Sequence, residues 1–183
     1  AIPQNGRDLA TLLDTEFGNG EGVCTGDFDE DGAPDIAVTH DAIVKRISVF
    51  AGDGTGGFSG PIHTVTPVGY VGMETADLDG DGHLDLAASA LNGQAAAHLG
   101  NGDGTSGPAT LQAGLANPYG IAIADVDRDG LDDLVVAERH QFGVFGSLSV
   151  LLGNGDGSLQ APTRFPTGES PRHVAVADLD GDG

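Results

Sequence analysis

An aspartate-rich stretch, GDFDEDGAPDIAV (26–38), returns at ADLDGDGHLDLAA (76–88) and ADVDRDGLDDLVV (124–136), and starts again at ADLDGDG (177–183). Its leading aspartates, Asp27, Asp77, Asp125 and Asp178, stand 50, 48 and 53 residues apart. Other features keep the same phase. An apolar run closed by a glycine-rich turn follows each complete copy (ISVFAGDGTGGF, AAAHLGNGDGTSG, LSVLLGNGDGSL), and a proline-bearing stretch (GPIHTV, GPATLQ, APTRFP) leads on. Each repeat thus carries four short candidate strands, two before and two after the apolar run begins, and no sustained helical stripe intervenes. Self-similarity at this period is the signature of a stacked or radial array.

Strand periodicity adds a packing rule. In the first strands Val23/Thr25, Met73/Thr75, Ile121/Ile123 and Val174/Val176 share one face, and Cys24/Gly26, Glu74/Ala76, Ala122/Ala124 and Ala175/Ala177 the other. One bulky and one mostly small face suit a sheet held closely between two others. The expected fold is all-β: a β-propeller of four-stranded antiparallel blades, about fifty residues per repeat. A tryptophan-based repeat signature is excluded, because the chain has no Trp. The sequence divides into blades over about 22–67, 68–115 and 116–168. Residues 9–17 read as the outer strand of a preceding blade, and 169–183 as the first strand and truncated loop of the next. Three complete blades with parts of two flanking ones make a partial propeller, whose open edges invite self-association.

The loops read D-x-D-x-D-G-x-x-D-Φ. Carboxylates at positions 1, 3 and 5, joined by position 9, converge on a point about one ion wide, and the carbonyl of position 7 can add a ligand. Several hard oxygens on a flexible loop suit Ca²⁺ better than Mg²⁺. The position-6 glycine (Gly32, Gly82, Gly130, Gly183) supplies the sharp turn with positive φ. An EF-hand shares the opening D-x-D-x-D-G but needs Glu at position 12, where this chain has Val38, Ala88 and Val136, and it needs flanking helices. The charge balance agrees: 28 acidic against 7 basic residues give a net charge of −21, which favours cations and disfavours nucleic acid or anionic membrane as partners. No segment reaches the roughly 18 apolar residues of a membrane-spanning helix.

With these loops, and with FSGP (58–61) and GPAT (107–110) after glycine turns, the chain resembles FG-GAP/VCBS repeats, the calcium-binding blades of the integrin α-subunit propeller and of many secreted bacterial and fungal proteins. The resemblance spans about residues 9–183. By position it implies Ca²⁺ held by Asp27, Asp29, Asp31, Ala33 and Asp35; by Asp77, Asp79, Asp81, His83 and Asp85; and by Asp125, Asp127, Asp129, Leu131 and Asp133. Asp178, Asp180 and Asp182 begin a fourth, truncated set without positions 7 and 9. It further implies a secreted or cell-surface module for adhesion or binding of a protein or glycan. The alternative is the propeller of a secreted polysaccharide-active lyase or dehydratase, or a lectin. Sugar sites of that kind stack on aromatic rings, and only Tyr70 and Tyr119 are on offer beside seven Phe.

Other signals point away from catalysis. The segments GDGTGG (52–57) and GNGDG (100–104, 153–157) lead into strands, so they read as hairpin turns, not phosphate loops. The six histidines (40, 63, 83, 98, 140, 173) show no zinc spacing. Cys24, the only cysteine, permits no intrachain disulfide and sits where Ala122 and Ala175 stand in sister repeats, a buried position. Glu74 replaces a small residue on the same face, near the central channel, and is the one candidate for a functional carboxylate outside the loops.

Overall fold

The computed structural model describes residues 20–40, 44–90, 92–139 and 145–179. Among them are twelve strands and no helix, and the strands form three four-stranded antiparallel sheets, as the repeat implies. The first sheet is β1 (Gly20–Gly26), β2 (Asp35–His40), β3 (Arg46–Phe50) and β4 (Ile62–Val65); the second is β5 (Gly72–Ala76), β6 (Asp85–Ala90), β7 (Gln94–His98) and β8 (Thr110–Ala113). The third is β9 (Pro118–Ala124), β10 (Asp133–Glu138), β11 (Phe145–Leu151) and β12 (Thr163–Glu169). Each is a simple meander, and the first strands touch one another in turn, β1 on β5 and β5 on β9. The sheets are therefore blades set side by side on their inner strands, and among the described residues they do not close into a ring. The outer strand read over 9–17 lies outside the described residues.

Register repeats with the sequence. Gly26 pairs with Asp35, Ala76 with Asp85 and Ala124 with Asp133, so every aspartate loop hangs from the same end of its first hairpin. The two-faced pattern then sets the core. Cys24, Ala37 and Val49 of the first blade lie across from Met73, Leu86, Ala88 and Ala96 of the second. Ala87 and Ala95, on the second blade's other face, meet Ile121, Leu134, Val136 and Leu151 of the third. Bulky residues fill the space left by alanines, and close-packed alanine sheets permit the near approach. Val23 is 63% exposed, while its equivalents Met73 and Ile121, each covered by a preceding blade, are 4% and 6% exposed.

The expected first strand of a further blade, over 174–178, forms no ladder among the described residues. The approach to it still docks: the Arg172 carbonyl accepts a bond from the Gly120 N–H at 2.9 Å. The glycine-rich segments are hairpin turns, as expected. Backbone bonds close them from Asp53 to Gly57, from Asn101 to Thr105 and from Asn154 to Ser158.

Gly52, Gly100 and Gly153 open these three turns, and each forms an isolated bridge across its turn. A β-carbon on any of them would sit inside contact distance of a carbonyl oxygen in the aspartate loop, that of Pro34, Leu84 or Asp132 respectively. Loop and turn are therefore in backbone contact within each blade. Replacing Gly100 by Ala is expected to cost about 1–3 kcal/mol through overpacking, read as a lower midpoint in urea unfolding with unchanged slope. A midpoint equal to that of the parent chain would show that the contact is not rigid.

Candidate metal centres

Each aspartate loop winds through two left-handed residues. Position 6 is one, with φ of 88° at Gly32, 93° at Gly82 and 90° at Gly130, the turn the sequence predicts. Position 4 is the other, with φ of 58° at Glu30, 76° at Gly80 and 65° at Arg128. The winding turns backbone N–H groups inward onto the carboxylates. The position-1 aspartates accept from the position-6 N–H: Asp27 from Gly32 at 3.0 Å, Asp77 from Gly82 at 3.0 Å and Asp125 from Gly130 at 2.9 Å. Position 3 accepts from the position-5 N–H in all three loops, at 3.3, 3.1 and 3.2 Å.

Position 9 is different in kind. Asp35, Asp85 and Asp133 are 0%, 1% and 1% exposed, and both oxygens of each accept backbone bonds. One oxygen takes the position-2 N–H, from Phe28 at 2.8 Å, Leu78 at 2.8 Å and Val126 at 3.0 Å. The other takes the N–H of the glycine that opens the distant turn, from Gly52 at 2.8 Å, Gly100 at 2.7 Å and Gly153 at 2.9 Å. This carboxylate is a staple between the two loops of a blade as well as a member of the acidic cluster, a role the motif alone did not disclose.

Three carboxylates per loop converge. Asp27, Asp29 and Asp35 each offer an oxygen within 4.8 Å of the others, and so do Asp77, Asp79 and Asp85, and Asp125, Asp127 and Asp133. Position 5 stands outside these groups. Asp31, Asp81 and Asp129 instead accept the position-7 N–H, of Ala33 at 2.8 Å, His83 at 2.8 Å and Leu131 at 2.9 Å. Asp178 is exposed, and Asp180 and Asp182 lie outside the described residues.

The electrostatics of the triads suit a cation. Desolvation, then the charges of Asp35, Asp31 and Asp27, push the Asp29 carboxyl above its usual range. Asp127 is raised in the same way, by desolvation and by Asp129, Asp133 and Asp125. Asp85 is also raised, desolvation outweighing its two N–H bonds. Loop 3 adds Asp132, raised by desolvation and the charges of Asp125, Asp133 and Asp77. Oδ1 of Asp27 is buried and has no hydrogen-bond partner, a state that costs about 1–3 kcal/mol. A hard divalent cation would satisfy that oxygen and neutralise its neighbours, so the residues fit Ca²⁺, with position-7 carbonyls and water available to complete its shell.

The remaining candidates are structural. Asp53, Asp103 and Asp156 in the glycine turns are held below the usual carboxylate range by hydroxyl and N–H bonds from Thr55 and Gly57, from Thr105 and from Ser158. Burial, aided by Glu74, pushes the Cys24 thiol up to about 12, which removes it as a nucleophile. His98 is fully buried; its Nε2 takes the Tyr70 hydroxyl at 2.9 Å and its Nδ1 donates to the Gly107 carbonyl at 3.0 Å. His63 bonds Ser48 at 2.9 Å, and His140 lies outside the described residues. Glu74 is exposed in an open groove of about 460 Å³ along the inner strands, which Tyr119, Arg172 and His173 also line.

One buried charge was missed. Glu138, fully buried at the end of β10 far from its aspartate loop, accepts from the Ala116 N–H at 2.9 Å and from Ser149, and pairs with Arg164 at 3.2 Å. Arg164 also donates to the Gly114 carbonyl. The sequence signal was an apolar strand, DLVVAE, ending in Glu where the sister repeats have His40 and Ala90.

A family model described as FG-GAP-like repeat matches the chain over residues 27–88, 77–136 and 125–183. The first two of these matches open on one aspartate loop and close just past the next. A search of curated proteins finds no match.

Staple and ligand roles separate by mutation within one loop. Asp35→Asn turns an amide donor toward a backbone N–H and should cost about 1–3 kcal/mol already in EDTA, where no ion is bound. Asp29→Asn removes repulsion, so the melting temperature in EDTA should rise, while the gain on adding calcium shrinks. Thermal melts of the two variants in both conditions check this; the same response from both would merge the two roles.

Proposed function

The chain belongs to the FG-GAP-like repeat family, and on that premise we propose that it is an extracellular propeller module whose calcium ions are structural and whose loops bind a protein or glycan partner. The observation that carries this reading is the threefold aspartate triad with its raised carboxyls and the unpartnered oxygen of Asp27. Family membership supports the extracellular setting, and among the described residues no helix is long and apolar enough to cross a membrane.

Calcium would act on stability by mass action. Extracellular modules hold calcium with dissociation constants of about 10⁻⁴–10⁻³ M. At ten times that constant each independent site adds about 1.4 kcal/mol, and three add about 4. That is a large share of the 5–15 kcal/mol typical of a folded domain. The ion would hold positions 1 and 3 against position 9, and position 9 already holds the glycine turn, so the whole loop-bearing end of a blade would stiffen together.

A protein partner is favoured over a sugar. Both tyrosines are engaged: Tyr70 is buried on His98, and the Tyr119 ring lies under the Arg139 guanidinium at 5.5 Å, its hydroxyl 3.2 Å from Arg139 Nη1. No tryptophan replaces them as a stacking platform. The groove bearing Glu74, Arg172 and His173 supports a second reading, a propeller of a polysaccharide-active enzyme or lectin, in which Glu74 would meet the substrate.

Native mass spectrometry tests the metal reading. Three calcium ions per chain are expected, removed by EDTA and not replaced by equimolar magnesium; no defined stoichiometry would overturn it. Probing arrays of extracellular proteins and of glycans with the calcium-loaded chain tests the partner. Protein binding lost in EDTA is expected, and binding to glycans alone would favour the second reading.

A further inference from the structure

The first two aspartate loops touch, and the second and third do not touch in the same way. Glu30, at position 4 of the first loop, places its Oε1 against Nδ1 of His83, at position 7 of the second. The pair is part-exposed and packs against the second blade's turn: a β-carbon on Gly102 would strike both the His83 ring and the Glu30 carboxylate. A second link runs beside it. The Phe28 carbonyl, at position 2 of the first loop, accepts the Gly104 N–H from that same turn at 2.8 Å. The corresponding pair one blade on is Gly80 and Leu131, which cannot form a side-chain hydrogen bond, and no backbone bond joins Leu78 to Gly157.

Each contact sits on backbone that a metal must fix. Glu30 is one of the two left-handed residues that wind the first loop. His83 carries the position-7 carbonyl of the second and is tied by its N–H to Asp81. An ion that orders the first loop fixes Glu30, and Glu30 then restrains His83 and the turn behind it. Part of the ordering entropy of the second loop is thereby met before its own ion arrives. We propose that the first and second loops bind calcium cooperatively through the Glu30–His83 contact, a link that the second and third loops do not share. This rests on the calcium reading above.

Calorimetric titration of the calcium-free full chain tests it, with sites 2 and 3 assigned by Asp79→Asn and Asp127→Asn. Removing site 1 by Asp29→Asn should weaken site 2 about two- to five-fold, the range of a part-exposed polar pair, and leave site 3 unchanged. In a chain carrying Glu30→Gly, the residue the second loop itself has at this position, Asp29→Asn should weaken site 2 clearly less. Because that glycine suits the positive φ, the variant loop is expected to fold, and a melt in EDTA checks that it does. An unchanged site 2 after Asp29→Asn, or an equal weakening with and without Glu30, overturns the coupling. Calcium uptake at three mutually independent sites would defeat this inference alone, whereas no uptake would defeat the calcium reading and the coupling with it.

Discussion

A carboxylate that is fully buried and fully hydrogen-bonded holds each blade together. Asp35, Asp85 and Asp133 take one N–H from their own loop and one from a turn that opens 15 to 20 residues later. Charge-assisted bonds of this kind are short and strong, and losing one inside a protein is expensive. The staple brings the first hairpin's loop down onto the turn between the third and fourth strands. It also fixes one wall of the acidic triad, so that positions 1 and 3 face a carboxylate that cannot turn away. The site that fits calcium is thus a by-product of how the blade closes its loop-bearing end.

Packing between blades puts the loops in a row. Inner strands lie against one another, small faces meet bulky ones, and the repeating register places every loop at the same end. At the opposite end no such repetition is needed, and the chain varies: a fully buried Glu138 clamped by Arg164 and two serines stands where Ala90 fills the second blade. A row of acidic loops on a chain of net charge −21 is self-repelling. Desolvation, with that repulsion added to it, raises the carboxyls of Asp29 and Asp127, a state that a bound cation would relieve.

Much of this was legible in the sequence, because the determinants are local or periodic. The fifty-residue phase, the four strands, the bulky and small faces and the left-handed glycine at position 6 all follow from spacing and side-chain size. What was not legible depends on groups distant along the chain. The motif supplies four aspartates as equals, but only the fold shows that position 9 is occupied by backbone donors and that position 5 turns to the position-7 N–H. The interlocking of Glu30 with His83, 53 residues on, is invisible until the blades are set side by side. Left-handed Glu30 and Arg128 were hidden for another reason, since neither residue type advertises positive φ as glycine does. The mutual bond of Tyr70 and His98 in the core, 28 residues apart along the chain, was hidden as the Glu30–His83 contact was.

The central claim is that the triads are cation sites on which the stability of the fold depends. The most direct measurement is a thermal melt of the purified chain in excess EDTA, in millimolar calcium and in millimolar magnesium. The account requires a rise of many degrees with calcium and little change with magnesium, since the loops offer many oxygens in a flexible shell that suits the larger ion. Identical melts in all three conditions would contradict it, leaving the convergent aspartates as solvated turns and the buried staple as their whole contribution to the fold.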